Sequence, residues 1–265
     1  MKEYYVCSLS GGKDSTAMFL ELIRRKYPLD EVVYCDTGLE FPAMERHIEK
    51  LRKVAKQHGI KFTTLKSEMS FEYYMNEYLI KKKDGTTQKG WSWPGPRMRW
   101  CTSRLKQQVI SRYFKKMRKT HKVYQYIGIA LGETYRLNRP GANDPNRLYP
   151  LVKWGMNGKN NLHYCYSCGY DWEGLYEIFD RVSCWCCPLQ QIRELRKLYK
   201  HFPGLWKKLK DMDNSTYRTF KPNYSVEDLE VRFKLEEEFE AKGMTTSAYN
   251  KLFRETLKER LGKTK

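Results

Sequence analysis

Apolar residues from Tyr4 to Leu9 form a short run that stops at a glycine pair, and from Thr16 to Lys26 they recur at helical spacing as Ala17, Leu20 and Ile23. That order predicts strand, tight turn, helix. The pattern repeats: Val32 to Cys35 is apolar, Asp36 stands at a strand end, and Pro42 to Gly59 has proline at a helix start and glycine at its stop. Ile60 to Lys66 reads as a third strand, Phe71 to Lys81 as a helix, and Thr102 to Lys119 as a long basic helix. Val123 to Leu131 is the next strand, with Gly132 to Gly141 turning after it. Strands alternating with helices predict an α/β fold built on a doubly wound parallel sheet, whose ligands bind beyond the carboxyl ends of the strands. Gly11, Asp36 and Glu133 lie at such ends.

After Pro150 the pattern changes. Asn157 to Asn161 reads as a polar loop, and a tyrosine- and cysteine-rich insert runs on to Pro188. From Gln190 the chain is basic and helical. Ser225 to Asp228 (SVED) marks a helix start, Gly243 a stop, and Thr246 to Gly262 a last amphipathic helix. The expected organisation is a nucleotide-binding domain over residues 1–155, a cysteine-rich metal or cluster segment over 156–190, and a basic helical C-terminal region over 191–265.

Composition supports a folded chain: 265 residues, 40% hydrophobic and 14% aromatic, can bury a substantial core. The net charge of +19 favours polyanionic partners or phosphorylated substrates over a merely solvated basic surface. No apolar stretch has the length of a signal peptide or a membrane span, so the expectation is a cytoplasmic protein with no membrane partner. In that setting eight cysteines point to metal, cluster or redox chemistry before disulfides.

The turn SLSGGKDS aims backbone N–H groups and the positive end of a helix at one point, which suits phosphate or sulfate. It is not GxxxxGK[ST], because Lys13 follows Gly12 directly and precedes Asp14. SGGKDS (Ser10 to Ser15) resembles the pyrophosphate-binding PP-loop of the N-type ATP pyrophosphatase superfamily, also called adenine nucleotide alpha hydrolase-like. CDTGLEFP (Cys35 to Pro42) resembles the second signature of its phosphoadenylyl-sulfate (PAPS) reductase family. RWCTSRLK (Arg99 to Lys106) and GETYRLNR with YPL (Gly132 to Leu151) are similar to substrate-side elements of that family, and the resemblance returns at SCWCCPL. It implies that Ser10, Gly11, Gly12, Lys13, Asp14 and Ser15 hold the phosphates of ATP or the phosphosulfate of an adenylyl sulfate nucleotide. Asp36, Thr37 and Gly38 then lie near the adenosine. Lys13 and the turn amides neutralise charge growing on a departing pyrophosphate. Asp14 is either a Mg²⁺ ligand or a first-turn acid favoured by the helix dipole. The resemblance also brings Arg97, Arg99, Arg104, Lys106, Arg136 and Arg139 to the same mouth, with Arg136 the candidate catalytic arginine and Glu133 a metal ligand or a partner to one of these arginines.

Cys165, Cys168, Cys184 and Cys187 read C-x2-C-x15-C-x2-C, a spacing suited to a four-thiolate zinc site. The resemblance adds an iron–sulfur alternative, in which Cys101, Cys184 and Cys187 are three ligands and Cys165 or Cys168 the fourth. Cys186 is a persulfide candidate or a packed thiol, and Cys7 and Cys35 are core residues. The phosphosulfate reductases attack sulfur with a later cysteine, and none follows Cys187 in this sequence, which speaks against the literal reductase. Lysines interleaved with Trp206, Tyr217, Phe220 and Tyr224, and the basic run Tyr113 to Lys122, suit nucleic acid. The same aromatics at helical spacing also suit a core. The expected enzyme binds an adenine nucleotide and adenylates an acceptor with pyrophosphate release, for sulfur transfer to nucleic acid or a small molecule. A cysteine desulfurase or thioredoxin is the implied donor protein. The alternatives are a reductase or sulfotransferase acting on (phospho)adenylyl sulfate and a metal-stapled nucleic-acid-binding protein.

Overall fold

The computed structural model describes residues 1–246 and 250–263. Its strands are β1 (Lys2–Leu9), β2 (Glu31–Asp36), β3 (Lys61–Lys66), β4 (Leu79–Lys81), β5 (Thr87–Lys89), β6 (His121–Ile127) and β7 (Arg147–Leu148). Its α-helices are α1 (Lys13–Arg24), α2 (Pro42–Gln57), α3 (Gln108–Met117), α4 (Pro150–Lys153), α5 (Gly158–Ser167), α6 (Leu175–Ile178), α7 (Ile192–His201), α8 (Pro203–Asn214), α9 (Val226–Ala241) and α10 (Lys251–Arg260). The chain divides into two compact units, one of Met1–Phe71 with Trp100–Trp185, the other of Glu72–Arg99 with Cys186–Lys265. Each is therefore assembled from two stretches of chain. This division differs from the three consecutive stretches expected above.

The first unit is built on a five-stranded sheet in the order β3-β2-β1-β6-β7, parallel at every pairing. Strand β1 is central, with Cys7 opposite Val32 on one side and opposite Tyr126 on the other. Because successive side chains point to opposite faces, the sheet needs a helical layer on each. On one face Cys7, Leu9, Val32, Tyr34 and Tyr126 pack with Met18, Phe19 and Leu22 of α1, Ile48 and Leu51 of α2, and Leu151 of α4. On the other face Val6, Val33 and Val123 pack with Phe114 of α3. The sheet is doubly wound, as expected. From β1 the chain runs outward through β2 to β3, then returns to place β6 on the opposite side of β1. The loops after β1 and β6 therefore diverge at the carboxyl edge, the position where open α/β sheets bind ligands.

Three local expectations change. The helix predicted over Phe71 to Lys81 ends earlier: its last turn is a π-helix, Tyr73–Glu77, and Leu79–Lys81 instead pairs antiparallel with Thr87–Lys89. The cause lies in Asp84-Gly85, where an Asp84 carboxylate oxygen accepts the Thr86 N–H at 2.9 Å and Gly85 takes φ +83°. An Asp-Gly pair between short β-prone runs is a hairpin signal. Asn157 to Asn161, read as a loop, begins α5, because the Asn157 side chain caps the amides of Lys159 and Asn160. Strand β6 stops at Ile127, four residues short of the predicted Leu131, and a 3-10 helix, Leu131–Asn138, follows.

The second unit is helical, as expected of the C-terminal region, with the β4–β5 hairpin from earlier in the chain joined to it. Its centre holds Trp93 edge-on against Phe220, and Trp206 with Phe233. The buried Asp213 carboxylate accepts the Trp93 indole N–H at 2.8 Å and the Val226 amide at 2.7 Å, joining both stretches of this unit. Ser225 and Asp228 form the predicted capping box of α9. Gly243, at φ +68°, follows its end. Of the last amphipathic helix, Lys251–Arg260 is helical; Ser247 to Tyr249 lie outside the described residues.

Candidate functional site

The turn between β1 and α1 has the backbone that its glycines predict. Gly11 takes φ +81°, and a Cβ there would stand 2.6 Å from the Met44 sulfur and 2.8 Å from Ile48 Cδ1 of α2. A side chain there would be strained by the left-handed backbone and would have to displace the tips of Met44 and Ile48. Ser10 and Ser15 hydroxyls meet at 3.0 Å, and the Ser15 hydroxyl also accepts the Ser10 amide at 3.1 Å, so the two ends of the motif clasp each other. The Thr16 amide makes the first helical bond, to the Gly12 carbonyl at 3.0 Å. The amides of Asp14 and Ser15 precede that bond and point out of the helix N-terminus. The Lys13 ammonium lies 3.5 Å from the Asp14 carboxylate, both partly exposed. From the loop after β6, Gly128 approaches so closely that a Cβ would be 3.1 Å from the Ser15 backbone.

Behind the turn stands a set of residues that the sequence reading did not single out. Asn161 donates from its side-chain nitrogen to an Asp14 carboxylate oxygen at 2.7 Å, and the Trp172 indole donates to the Gly11 carbonyl at 2.8 Å. The Tyr176 hydroxyl accepts the Lys13 amide at 2.9 Å. His47, from α2, bonds the Thr16 hydroxyl at 3.0 Å and lies against the Trp172 ring. Burial, with Lys50 nearby, pulls the His47 pKa down to about 4, so the ring is neutral at pH 7. Trp172, Glu173 and Gly174 all have positive φ, a costly run for the first two. It is held by the Asp171 side chain accepting the Glu173 amide and by Arg46 pairing with the Glu173 carboxylate. No spacing rule marks these residues; the only available signal was the aromatic density of Tyr164 to Tyr176.

At the end of β2 an Asp36 carboxylate oxygen accepts the Gly38 amide at 2.7 Å and faces Lys66 at 3.4 Å. The Thr37 hydroxyl is buried with no partner among the described residues, and Gly38 is exposed at φ +71°. Glu40, in the same stretch, takes Lys106 at 3.6 Å and the Cys184 thiol at 3.7 Å. Burial works against the Lys106 ammonium, but Glu40, with Cys184 and Cys35, outweighs it and holds its pKa above the ordinary value. Arg136 is paired to Glu133 at 2.6 Å, which realises one of the two roles expected for that carboxylate. Arg104 and Lys106 share the first unit with Arg136 and Arg139, whereas Arg97 and Arg99 fall in the second.

The cysteines expected to bind metal have unlike surroundings. Cys165 is fully buried on α5 and its thiol donates to the Lys13 carbonyl at 3.5 Å; burial pushes its pKa well up, so it is a packed, protonated thiol. Cys168 is exposed, Cys101 and Cys184 are half-buried in the first unit, and Cys187 is half-buried in the second. Among the described residues no three His, Cys, Asp or Glu side chains are grouped to hold a metal ion. In this arrangement Cys165 bonds the Lys13 carbonyl and stands apart from any grouped set of metal ligands among the described residues. Cys7, Cys35 and Cys186 are buried. Among the described residues no helix is long and apolar enough to cross a membrane.

Comparison with known proteins places this geometry. The chain is 27% identical over 221 residues to the uncharacterized protein MJ0066 of Methanocaldococcus jannaschii, and 26% identical over 210 residues to MJ0973 of the same organism. Those matches cover 78% and 77% of this chain but 41% and 46% of the relatives, so the chain spans less than half their length. Among solved structures it is similar to the U34-tRNA thiolase NcsA from Methanococcus maripaludis with its 4Fe–4S cluster, at 16% identity and a TM-score of 0.39, covering 80% of this chain and 71% of that one. The family model described as the phosphoadenosine phosphosulfate reductase domain matches residues 4–190, a span that begins in β1 and takes in the turn, Asp36 to Gly38 and the residues behind them. With its clasped glycine turn at the carboxyl edge of a parallel sheet, the chain belongs to the phosphoadenosine phosphosulfate reductase domain family.

Proposed function

We propose that this protein binds ATP at the Ser10–Ser15 turn and adenylates an acceptor, releasing pyrophosphate and preparing the acceptor for sulfur transfer. The observation that carries the reading is the turn itself: a left-handed Gly11, followed by a helix whose Asp14 and Ser15 amides and Lys13 ammonium stand at the carboxyl edge of the sheet. Fixed N–H dipoles and an ammonium stabilise charge that grows as a phosphate leaves, without reorganising at that moment. In the proposed step an acceptor oxygen attacks the α-phosphorus. The bond from that phosphorus to the bridging oxygen breaks, and pyrophosphate departs with the electron pair onto the amides of Asp14 and Ser15 and onto Lys13. A persulfide sulfur then bonds the acceptor carbon as its carbon–oxygen bond breaks and AMP leaves with that oxygen, and a second thiol cleaves the donor's S–S bond, releasing the thiolated acceptor and a disulfide. The buried, unpartnered Thr37 hydroxyl at the end of β2 supports an adenosine position over Asp36 to Gly38. Asp14, held by Asn161 and still partly exposed, is the residue that would take a magnesium ion arriving with the phosphates; such an ion neutralises phosphate charge. No step is assigned to zinc or to an iron–sulfur cluster.

The assay is pyrophosphate release from ATP with and without candidate nucleic-acid acceptors. Release that depends on an acceptor and falls by at least about a hundredfold in Lys13→Ala is the expected result, the scale on which loss of a transition-state donor acts. The family's name favours one other reading, a reductase of phosphoadenylyl sulfate. Sulfite formed from that nucleotide with a thiol donor, and no pyrophosphate with any acceptor, would establish it in place of the first.

A further inference from the structure

The Lys13 amide, one of the first donors of α1, does not face the carboxyl edge with an open valence; it is taken by the Tyr176 hydroxyl at 2.9 Å. A phenol has one proton to give and can accept as well. The Lys13 amide uses its accepting side. Among the described residues nothing accepts the Tyr176 proton, although the ring is packed edge-on against the buried Trp172 at 4.8 Å and the Lys13 ammonium lies 5.6 Å from its centroid. A Cβ on Gly12 would meet the Tyr176 oxygen at 3.4 Å, so the hydroxyl lies directly against the turn. Burial raises the phenol above its ordinary pKa, which keeps its proton in place at neutral pH. A second group nearby is also unsatisfied: Asn161 is fully buried beside Asp14, and its carboxamide oxygen has no partner among the described residues. A buried polar atom without a partner is uncommon, and the Asn161 oxygen, beside a half-buried phenol with a proton still to give, marks the surroundings of a polar ligand.

We infer that Tyr176 is a phosphate-positioning residue: its hydroxyl accepts the Lys13 amide and passes a hydrogen bond on to an oxygen of the pyrophosphate group seated in the turn. The inference rests on the phosphate reading of the turn given above. It adds a donor from a segment more than a hundred and fifty residues away, the two partners being 163 positions apart. It also accounts for the strained Trp172–Gly174 run, which sets the start of α6 and with it Tyr176 against Gly12.

The experiment measures binding of inorganic pyrophosphate by isothermal titration calorimetry to the full chain and to Tyr176→Phe, with near-ultraviolet circular dichroism and melting to verify that the variant keeps its packing. Loss of a hydrogen bond to a charged acceptor weakens binding by roughly tenfold or more, so Tyr176→Phe is expected to raise the Kd by at least that factor. Trp172→Phe, which keeps the phenol, is expected to weaken pyrophosphate binding less than Tyr176→Phe does. An unchanged Kd in Tyr176→Phe overturns the inference, and a lower Kd identifies the phenol as a competitor of phosphate for the Lys13 amide. If the native protein binds neither pyrophosphate nor ATP, the phosphate reading of the turn itself fails, a result distinct from native binding with an indifferent Tyr176. A variant that loses its native near-ultraviolet spectrum is replaced by Tyr176→Leu, for which the same tenfold criterion holds.

Discussion

Single residues behind the glycine turn set its chemistry as firmly as the motif does. His47 is the clearest. It is packed between Thr16 and the Trp172 ring, with Tyr170 edge-on, Lys50 nearby and Asp171 the one carboxylate acting on it. Its pKa of about 4 lies below the ordinary value, so between about pH 6.5 and 4 the unfolded chain binds a proton that the folded chain refuses. Stability is therefore at its plateau above the ordinary histidine pKa and falls as pH drops through that window, by roughly 2 kcal/mol at pH 5 and roughly 3 below pH 4. Urea unfolding at pH 7 and pH 5 measures this, and His47→Gln is expected to remove most of the difference. A difference equal in both proteins assigns the acid sensitivity elsewhere. At this scale the sequence was legible where a motif demands a backbone conformation, as at Gly11. It was illegible where a side chain serves the turn from far away: His47, Asn161 and Tyr176 occur in no fixed spacing to Ser10–Ser15, because only the folded chain brings them there.

Among the elements, the strands and the helices that cover them were readable from periodicity, since each β-strand of the sheet has faces that must both be buried. Two of the three misread stretches show local reasons most clearly. Phe71 to Lys81 has apolar residues that suit either a helix or a hairpin, and the Asp84-Gly85 turn beyond it decides. Asn157 to Asn161 looked like a loop because asparagines are poor helix formers, yet the first of them is a cap and the rest lie in the turn where polar residues are tolerated. The 3-10 turn Trp172–Gly174 was not foreseen at all, since nothing in the letters forecasts a tryptophan and a glutamate with left-handed backbones. Its anchor is the indole N–H on the Gly11 carbonyl, a buried bond. Trp172→Phe leaves that carbonyl only the longer bond from the Thr16 hydroxyl at 3.3 Å and is expected to cost about 1 kcal/mol, read from denaturant midpoints at constant m-value. A variant within about 0.5 kcal/mol of the native protein would show that the turn is held by the Asp171 and Arg46 contacts alone.

For the whole molecule, charge and composition foretold a basic folded protein but not its division. The second unit takes residues Glu72–Arg99 from the middle of the chain, and no shift in composition marks that exchange. The net charge of +19 gives a prediction at this scale. On the outer face of α3 and just beyond it, Arg112, Lys115, Lys116, Arg118 and Lys119 are all exposed. If nucleic acid is the acceptor, the logarithm of its affinity must fall linearly with the logarithm of salt concentration, a loss of about tenfold or more between about 50 and 200 mM. Fluorescence anisotropy with a labelled single strand checks it. Lys13→Ala should leave that slope unchanged, because the proposal seats the nucleotide, and not the acceptor backbone, in the turn. A flat salt response excludes a polyanionic acceptor and points to a small molecule.

The long reach from Lys13 to Tyr176 also bears on how the protein is made. Residues Ser10 to Ser15 are synthesised well before the phenol and the indole that complete their surroundings, which arrive only after most of the first unit has been made. Throughout that interval the nascent loop holds the six letters of its motif without the wall behind them. The surroundings of the turn are thus completed late, and a growing chain stalled before α6 would carry the motif without the phenol that accepts the Lys13 amide.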